Sequence, residues 1–295
     1  MKNLKLAAVC LSCLTMTGCS ALNFSVEGLI NAPKLTSEQS EIHQALIESV
    51  GSNITLKYPK NGEYRSAYVI ANIDDEPTDE AMVFYEYTSN GSEEDGLRVN
   101  ILDKDENGKW YSVKELAGAG TDIDQVIISP MGSNNQTDVF VGYQNLTNDE
   151  KTMEIYSYTD GDFKRVALDT YSVLEPLDIN NDGYIELITI QRSTNNDTGA
   201  VTAKASMLNM KNNEITRGEN VDMCDNVTSY VSSKTGMLDS GRRAIFIDGL
   251  TADGKLQTEI IYYRYSGLQN PMQLRSEKLL PLCTRPAGKI GRAHV

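Results

Sequence analysis

Asp105-Glu106-Asn107-Gly108, Thr159-Asp160-Gly161-Asp162, Lys211-Asn212-Asn213-Glu214 and Tyr265-Ser266-Gly267 are the stretches that decide how this chain is read. Each is a short polar turn between two apolar runs, and Asn-Gly and Asp-Gly pairs tolerate the positive φ that tight hairpins require. They recur at intervals of about 50 residues, the range of a four-stranded sheet module that cannot bury both of its faces alone. Working outward from each hairpin gives one order: strand, acidic loop, strand, polar turn, strand, hairpin, strand. The first repeat offers strands over 67–73, 81–87, 97–102 and 109–116, and the second over 125–129, 139–144, 153–158 and 163–168. The third offers 172–177, 186–192, 202–210 and 214–218, and the fourth 228–232, 243–248, 257–265 and 273–278. This predicts an all-β protein: a β-propeller of four-stranded blades over residues 54–288, with about four blades present and more needed to close the ring. A single β-sandwich could be built from the same strands, but the regular four-strand spacing favours blades.

Side-chain patterns support strands. Met153-Glu154-Ile155-Tyr156-Ser157-Tyr158 nearly alternates apolar with polar, as a half-buried strand does. Val126-Ile127-Ile128 and Val139-Phe140-Val141 are continuously apolar, as strands covered on both faces should be. One helix is expected before them. Thr36 and Gln39 have capping-box spacing, Ile42, Leu46 and Val50 follow at four-residue steps, and Gly51 suits the C-terminal cap. His43 lies beside that stripe and is expected to be exposed.

The two ends are expected to stand apart from the fold. Lys2 and Lys5 precede a short apolar stretch, 6–16, which is too short for a stable transmembrane anchor and reads as an export signal over residues 1–18. Its ending, Met16-Thr17-Gly18-Cys19, resembles a bacterial lipobox, which implies lipidation of Cys19. Residues 19–53 then form a tether and the helix, on a protein anchored outside the cytoplasm through its lipid. At the other end, residues 289–295 read like the translation of a sequencing adapter, a non-native tail. Net charge is −14, and loss of Lys2 and Lys5 with the signal would make it −14 − 2 = −16. So acidic a chain repels phosphate backbones, and nucleic acid is not an expected partner. Cys224 and Cys283 flank the fourth repeat and fit either a disulfide or two buried thiols.

The sharpest chemical motif is Asp178-Ile179-Asn180-Asn181-Asp182-Gly183-Tyr184-Ile185-Glu186. Oxygen-bearing side chains at alternate positions can converge in a tight loop, Gly183 permits the turn, and Glu186 closes it. Hard oxygen donors with several carboxylates suit Ca²⁺. The expected ligands are Asp178, Asn180, Asp182 and Glu186, with the backbone carbonyl of Tyr184. An EF-hand is excluded because its twelfth position falls on Thr189 and a strand follows. A calcium loop between two strands of one repeat resembles those of FG-GAP and VCBS-type propeller repeats, although the Phe-Gly and Gly-Ala-Pro elements of that family are absent. Asn72, Asp74, Glu76 and Glu80 keep the same spacing with Pro77 in place of Gly, and form a weak metal candidate or simply an acidic turn.

Catalytic patterns are sparse. His43 and His294 are the two histidines, which disfavours a Ser-His-Asp triad or a histidine-rich zinc site. Asp105 to Gly108 reads as a hairpin with Trp110 packed between blades, not as a sialidase Asp box. The expected role is therefore a non-catalytic platform that binds a protein or glycan at the cell envelope. An extracytoplasmic carbohydrate-active enzyme and an envelope assembly or sensory component are the alternatives.

Overall fold

A computed structural model describes residues 35–88, 96–130, 137–146, 150–194, 199, 201–211 and 214–271. Residues 1–18, Cys19, Cys283, residues 289–295 and the expected strand over 273–278 lie outside the described residues.

Helix α1 (Ser37–Val50) begins as the capping box requires. Thr36 N donates to Gln39 Oε1 and Gln39 N donates to Thr36 Oγ1, each at 3.1 Å, so two orphan donors are satisfied reciprocally. Gly51, at φ +85°, ends it and donates to Ile47 O at 2.9 Å. A helix of this length is marginal alone in water, so the burial of Ile42, Ala45 and Leu46 decides its survival. These side chains pack with Tyr68, Val83, Tyr85, Leu102 and Trp110 on one face of the first sheet. Trp110 therefore packs under the helix and not between sheets. His43 is half-buried, with Nδ1 at 2.8 Å from the Tyr68 hydroxyl, which corrects its expected exposure.

The rest is all-β: four separate antiparallel sheets. The first contains β1 (Ile54–Leu56), β2 (Tyr68–Ala71), β3 (Glu80–Tyr87), β4 (Leu97–Lys104) and β5 (Trp110–Ala117). It has five strands, where four were expected, because β1 and β2 pair with opposite ends of β3. The chain between them leaves the sheet, and its Lys60 and Asn61 amides donate to the Ile123 and Asp124 carbonyls of the second sheet. The second sheet runs β6 (Asp122–Ser129), β7 (Asp138–Gln144), β8 (Lys151–Thr159), β9 (Asp162–Tyr171). The third runs β10 (Val173–Leu177), β11 (Glu186–Thr194), β12 (Val201–Lys211), β13 (Glu214–Asp222). The fourth runs β14 (Val227–Met237), β15 (Arg243–Thr251), β16 (Leu256–Arg264), β17 (Gly267–Gln269). Its last strand follows the hairpin directly, where the sequence placed one at 273–278. Tyr265 and Ser266, at φ 54° and 65°, supply the double left-handed turn that makes so short a return possible.

Successive sheets stack face to face. Phe84, Val99 and Ile101 of the first meet Val126, Val141 and Tyr143 of the second. Phe140, Met153 and Tyr171 of the second meet Leu174, Leu187 and Leu208 of the third. Ile188, Ile190 and Ala205 of the third meet Ile245, Ile247 and Ile261 of the fourth. Each sheet thus shelters apolar side chains of the next, at about 1.5–3 kcal/mol for each large side chain fully removed from water.

Candidate functional site

The structure places the expected metal loop between β10 and β11 and gathers its side chains. Asp182 N donates to Asp178 Oδ1 (3.0 Å) and to Asn180 Oδ1 (2.8 Å), and Tyr184 N donates to Asp182 Oδ1 (2.9 Å). Ile179 N donates to Glu186 Oε2 at 3.0 Å. Asn181 and Gly183 take positive φ, 61° and 95°, which lets the chain double back. Two positive-ended groups lie against these carboxylates. The Asn180 amide nitrogen donates to Asp182 Oδ2 (2.9 Å) and Glu186 Oε1 (2.8 Å), and Arg243 Nη1 pairs with Asp178 Oδ2 at 3.1 Å. Among the described residues, no group of three or more His, Cys, Asp or Glu is arranged to hold a metal ion. The donor set nonetheless has calcium chemistry, with hard oxygens around a buried carboxylate. Burial, with Asp182 and Asp178 adding to it, pushes the Glu186 carboxyl up to about 7.

The Asn72 loop repeats this plan more closely than its sequence suggests. Ile73 N donates to Glu80 Oε2 at 2.8 Å, as Ile179 does to Glu186, and Glu76 N donates to Asp74 Oδ1 at 2.7 Å. Glu80 pairs with Ala71 across the strands just as Glu186 pairs with Leu177. Burial, reinforced by Asp74 and Asp103, pushes Glu80 up to about 7, and its Oε1 is buried with no hydrogen-bond partner. The Asn72 side chain instead ties the turn together, donating to the carbonyls of Glu76 (2.5 Å) and Thr78 (3.0 Å). In the fourth sheet the same position is Arg243, which reaches back to the third sheet's loop and donates to the Asp178 carbonyl at 2.8 Å.

Cys224 is half-buried. Its backbone amide donates to Glu259 Oε2 at 2.9 Å, and burial together with the Glu259 charge pushes the thiol up to about 12.

Sequence reasoning missed a cleft where parts of all four sheets' leading segments meet. It is a cavity of about 520 Å³ bordered by residues 61–64, 124–128, 172–176 and 230–233. Asp124, 1 % exposed, anchors its wall. It accepts from Tyr171 Oη (2.6 Å), Lys151 Nζ (2.9 Å) and Asn61 Nδ2 (2.8 Å). Burial alone would raise its carboxyl, but these three donors outweigh burial and hold it below the usual range. Glu175 borders the same cleft with the opposite displacement: burial raises its carboxyl, opposed weakly by the Ser233 hydroxyl. No local signal marked this set, because its members come from separate stretches of the chain spread between residues 61 and 233.

No family model matches the sequence, and no curated protein matches it. Among solved structures, the chain is similar to a "putative 6-phosphogluconolactonase" from Bacteroides uniformis ATCC 8492, at 15% identity and a TM-score of 0.35. It is also similar to one so described from Bacteroides fragilis NCTC 9343, at 11% identity and a TM-score of 0.33. Each match covers 74% of this chain, and the chain spans 66% and 65% of those proteins, just under two thirds. Both are described as enzymes, and on that finding the expectations of a non-catalytic platform and of a chain that is not an enzyme are withdrawn. The likeness is too distant to carry an activity, a substrate or a residue role to this chain.

Proposed function

We propose that this chain is an exported, lipid-tethered protein whose stacked sheets are consecutive blades of an FG-GAP/VCBS-like propeller. Its working surface is the cleft at their leading strands. There it takes up a small hydroxylated substrate and acts on it with Glu175 as proton donor. The observation that carries this reading is the pair of oppositely displaced carboxyls in one cleft, Asp124 held low and Glu175 raised. Environments that push two carboxyls apart are how a site keeps one ionised and the other able to give a proton. Amide and hydroxyl side chains dominate the remaining polar lining, which suits a ligand rich in hydroxyl groups.

The test is turnover of a panel of aryl glycosides and sugar lactones by the wild-type protein and by Glu175→Gln. Loss of proton donation should lower kcat by about 10²–10⁴-fold. The melting temperature should not fall, because the substitution removes a carboxyl that burial disfavours. Equal turnover by both proteins, or none by either, would overturn this role for Glu175.

The export signal over residues 1–18 and the lipid on Cys19 supply the address outside the cytoplasm and the membrane partner. Asp178, Asn180, Asp182 and Glu186, with the Tyr184 carbonyl, would hold Ca²⁺. The bound ion would neutralise these carboxylates and cross-link the loop. Calorimetric titration should show Ca²⁺ binding that Asp182→Ala abolishes. Identical melting temperatures in calcium and in chelator would count against the site.

A further inference from the structure

β3, β7, β11 and β15 hold the same place in their sheets, and the first three open on an acid: Glu80, Asp138 and Glu186. The fourth, β15, opens on Arg243. Its guanidinium reaches back to the third sheet, with Nη1 3.1 Å from Asp178 Oδ2 and 2.8 Å from the Asp178 carbonyl. We infer that Arg243 is a tethered counter-cation of the Asp178 loop and competes with a divalent ion for Asp178, so that Ca²⁺ entering the loop opens this clasp between the third and fourth sheets. The inference rests on the calcium reading above. It adds the residue that sets the loop's affinity and the movement that reports its filling.

Both oxygens of the Asp178 carboxylate are taken: Oδ1 accepts from the Asp182 amide at 3.0 Å, and Oδ2 faces Arg243. An oxygen that turns to a cation has to give up one of these partners. The Asn180 amide nitrogen stands in the same relation to the other two carboxylates, 2.9 Å from Asp182 Oδ2 and 2.8 Å from Glu186 Oε1. The two donors differ in what they can become. An Asn side chain carries an acceptor oxygen on the same amide and turns from donor into ligand by rotating. A guanidinium has donors and no acceptor, and its charge persists at any working pH. Arg243 therefore repels a second cation in this loop and cannot be converted into a ligand for it. Exposure decides which partner moves. The Asp178 side chain is 12 % exposed and the Arg243 side chain 40 %, so the guanidinium has solvent to withdraw into. The apolar seam stays in place, because Ile245 and Ile247 follow Arg243 on the same side of β15 and pack with Ile188 and Ile190 of the third sheet. Release of Arg243 loosens the rim of that seam without parting the sheets.

The test is calorimetric titration of Ca²⁺ into the full chain as wild type, Arg243→Gln and Arg243→Lys, after circular dichroism has shown that each is folded. Arg243→Gln should bind Ca²⁺ about tenfold more tightly than wild type. Arg243→Lys keeps the charge and should stay within about threefold of wild type. In chelator Arg243→Gln should melt below wild type, and Ca²⁺ should raise its melting temperature by more than it raises that of wild type. Hydrogen exchange on wild type needs no variant: Ca²⁺ should slow exchange over residues 178–186 and speed it at the start of β15. Equal Ca²⁺ affinity in wild type and Arg243→Gln, the same gain in Arg243→Lys, or unchanged exchange in β15 would overturn the competition and leave the calcium reading standing. Ca²⁺ bound by Arg243→Gln alone would support the competition and overturn calcium binding by wild type. Binding by none of the three would overturn both.

Discussion

In the absence of divalent cations, the protein will lose stability as pH rises from about 4.5 through 7, and Glu80 and Glu186 will carry most of the loss. Both carboxyls ordinarily titrate near 4.5, and in the fold both are pushed up to about 7, burial being the largest cause. A folded-state value above the unfolded one means that the folded protein binds the proton more tightly. The resulting stabilisation is fully present below the unfolded value and disappears as pH climbs through the folded one. The displacement corresponds to about 1–3 kcal/mol for each group. Urea midpoints measured in chelator across this range should fall for wild type. The fall should be clearly smaller for Glu80→Gln combined with Glu186→Gln, whose side chains cannot ionise, the remainder coming from the raised Glu175. An unchanged pH profile in the double variant would show that these groups do not govern the slope. Calcium should suppress the part due to Glu186, because a bound cation favours the ionised carboxylate.

Gly142→Ala should cost about 3–5 kcal/mol, combining overpacking with the loss of a charged hydrogen bond. A β-carbon at this position would stand well inside van der Waals contact distance of Tyr171 Oη, with Phe140 and Cζ of Tyr171 also close. Tyr171 is 1 % exposed and has nowhere to retreat. Its hydroxyl donates to Asp124 Oδ2 at 2.6 Å, so displacing it also strips a buried carboxylate of a donor. Tyr171→Phe removes the colliding oxygen, so Gly142→Ala should cost clearly less in that background than in wild type. The difference is the coupling energy of the pair, read from chemical denaturation of the four proteins. Additive losses would show that the glycine acts through something other than the tyrosine hydroxyl.

The two loops and the cleft show where sequence reading stopped. Asp178, Asn180, Asp182 and Glu186 were legible because their spacing and Gly183 lie within nine consecutive residues. The Asn72 loop looked degraded because Pro77 replaces the glycine, yet it keeps the same carboxylate-to-amide bond through Glu80 and Ile73. What hid the likeness is that the bond joins side chain to backbone, and a backbone amide has no letter in the sequence. Trp110 was assigned to a gap between sheets because a large aromatic residue only announces burial, not the partner, which proved to be α1. Asp124, Lys151 and Tyr171 carried no motif at all, since an acid, a base and a phenol spread over 47 positions are indistinguishable from surface residues until the chain folds.

By itself, the order of residues determined most of the strands, their meander connections, the hairpins and the capped helix, because each depends on periodicity and turn chemistry within a few neighbours. Sequence reasoning missed β1 and placed the last strand at 273–278 instead of Gly267–Gln269. Only the tertiary structure decided that the first strand of the first sheet is split, which side chains carry the contacts between successive sheets, and which carboxyls are buried. It alone brought residues 61–64, 124–128, 172–176 and 230–233 around one cleft. The physical reason is that desolvation and charge pairing depend on what packs against a group from distant parts of the chain, and those forces set the chemistry of Asp124 and Glu175.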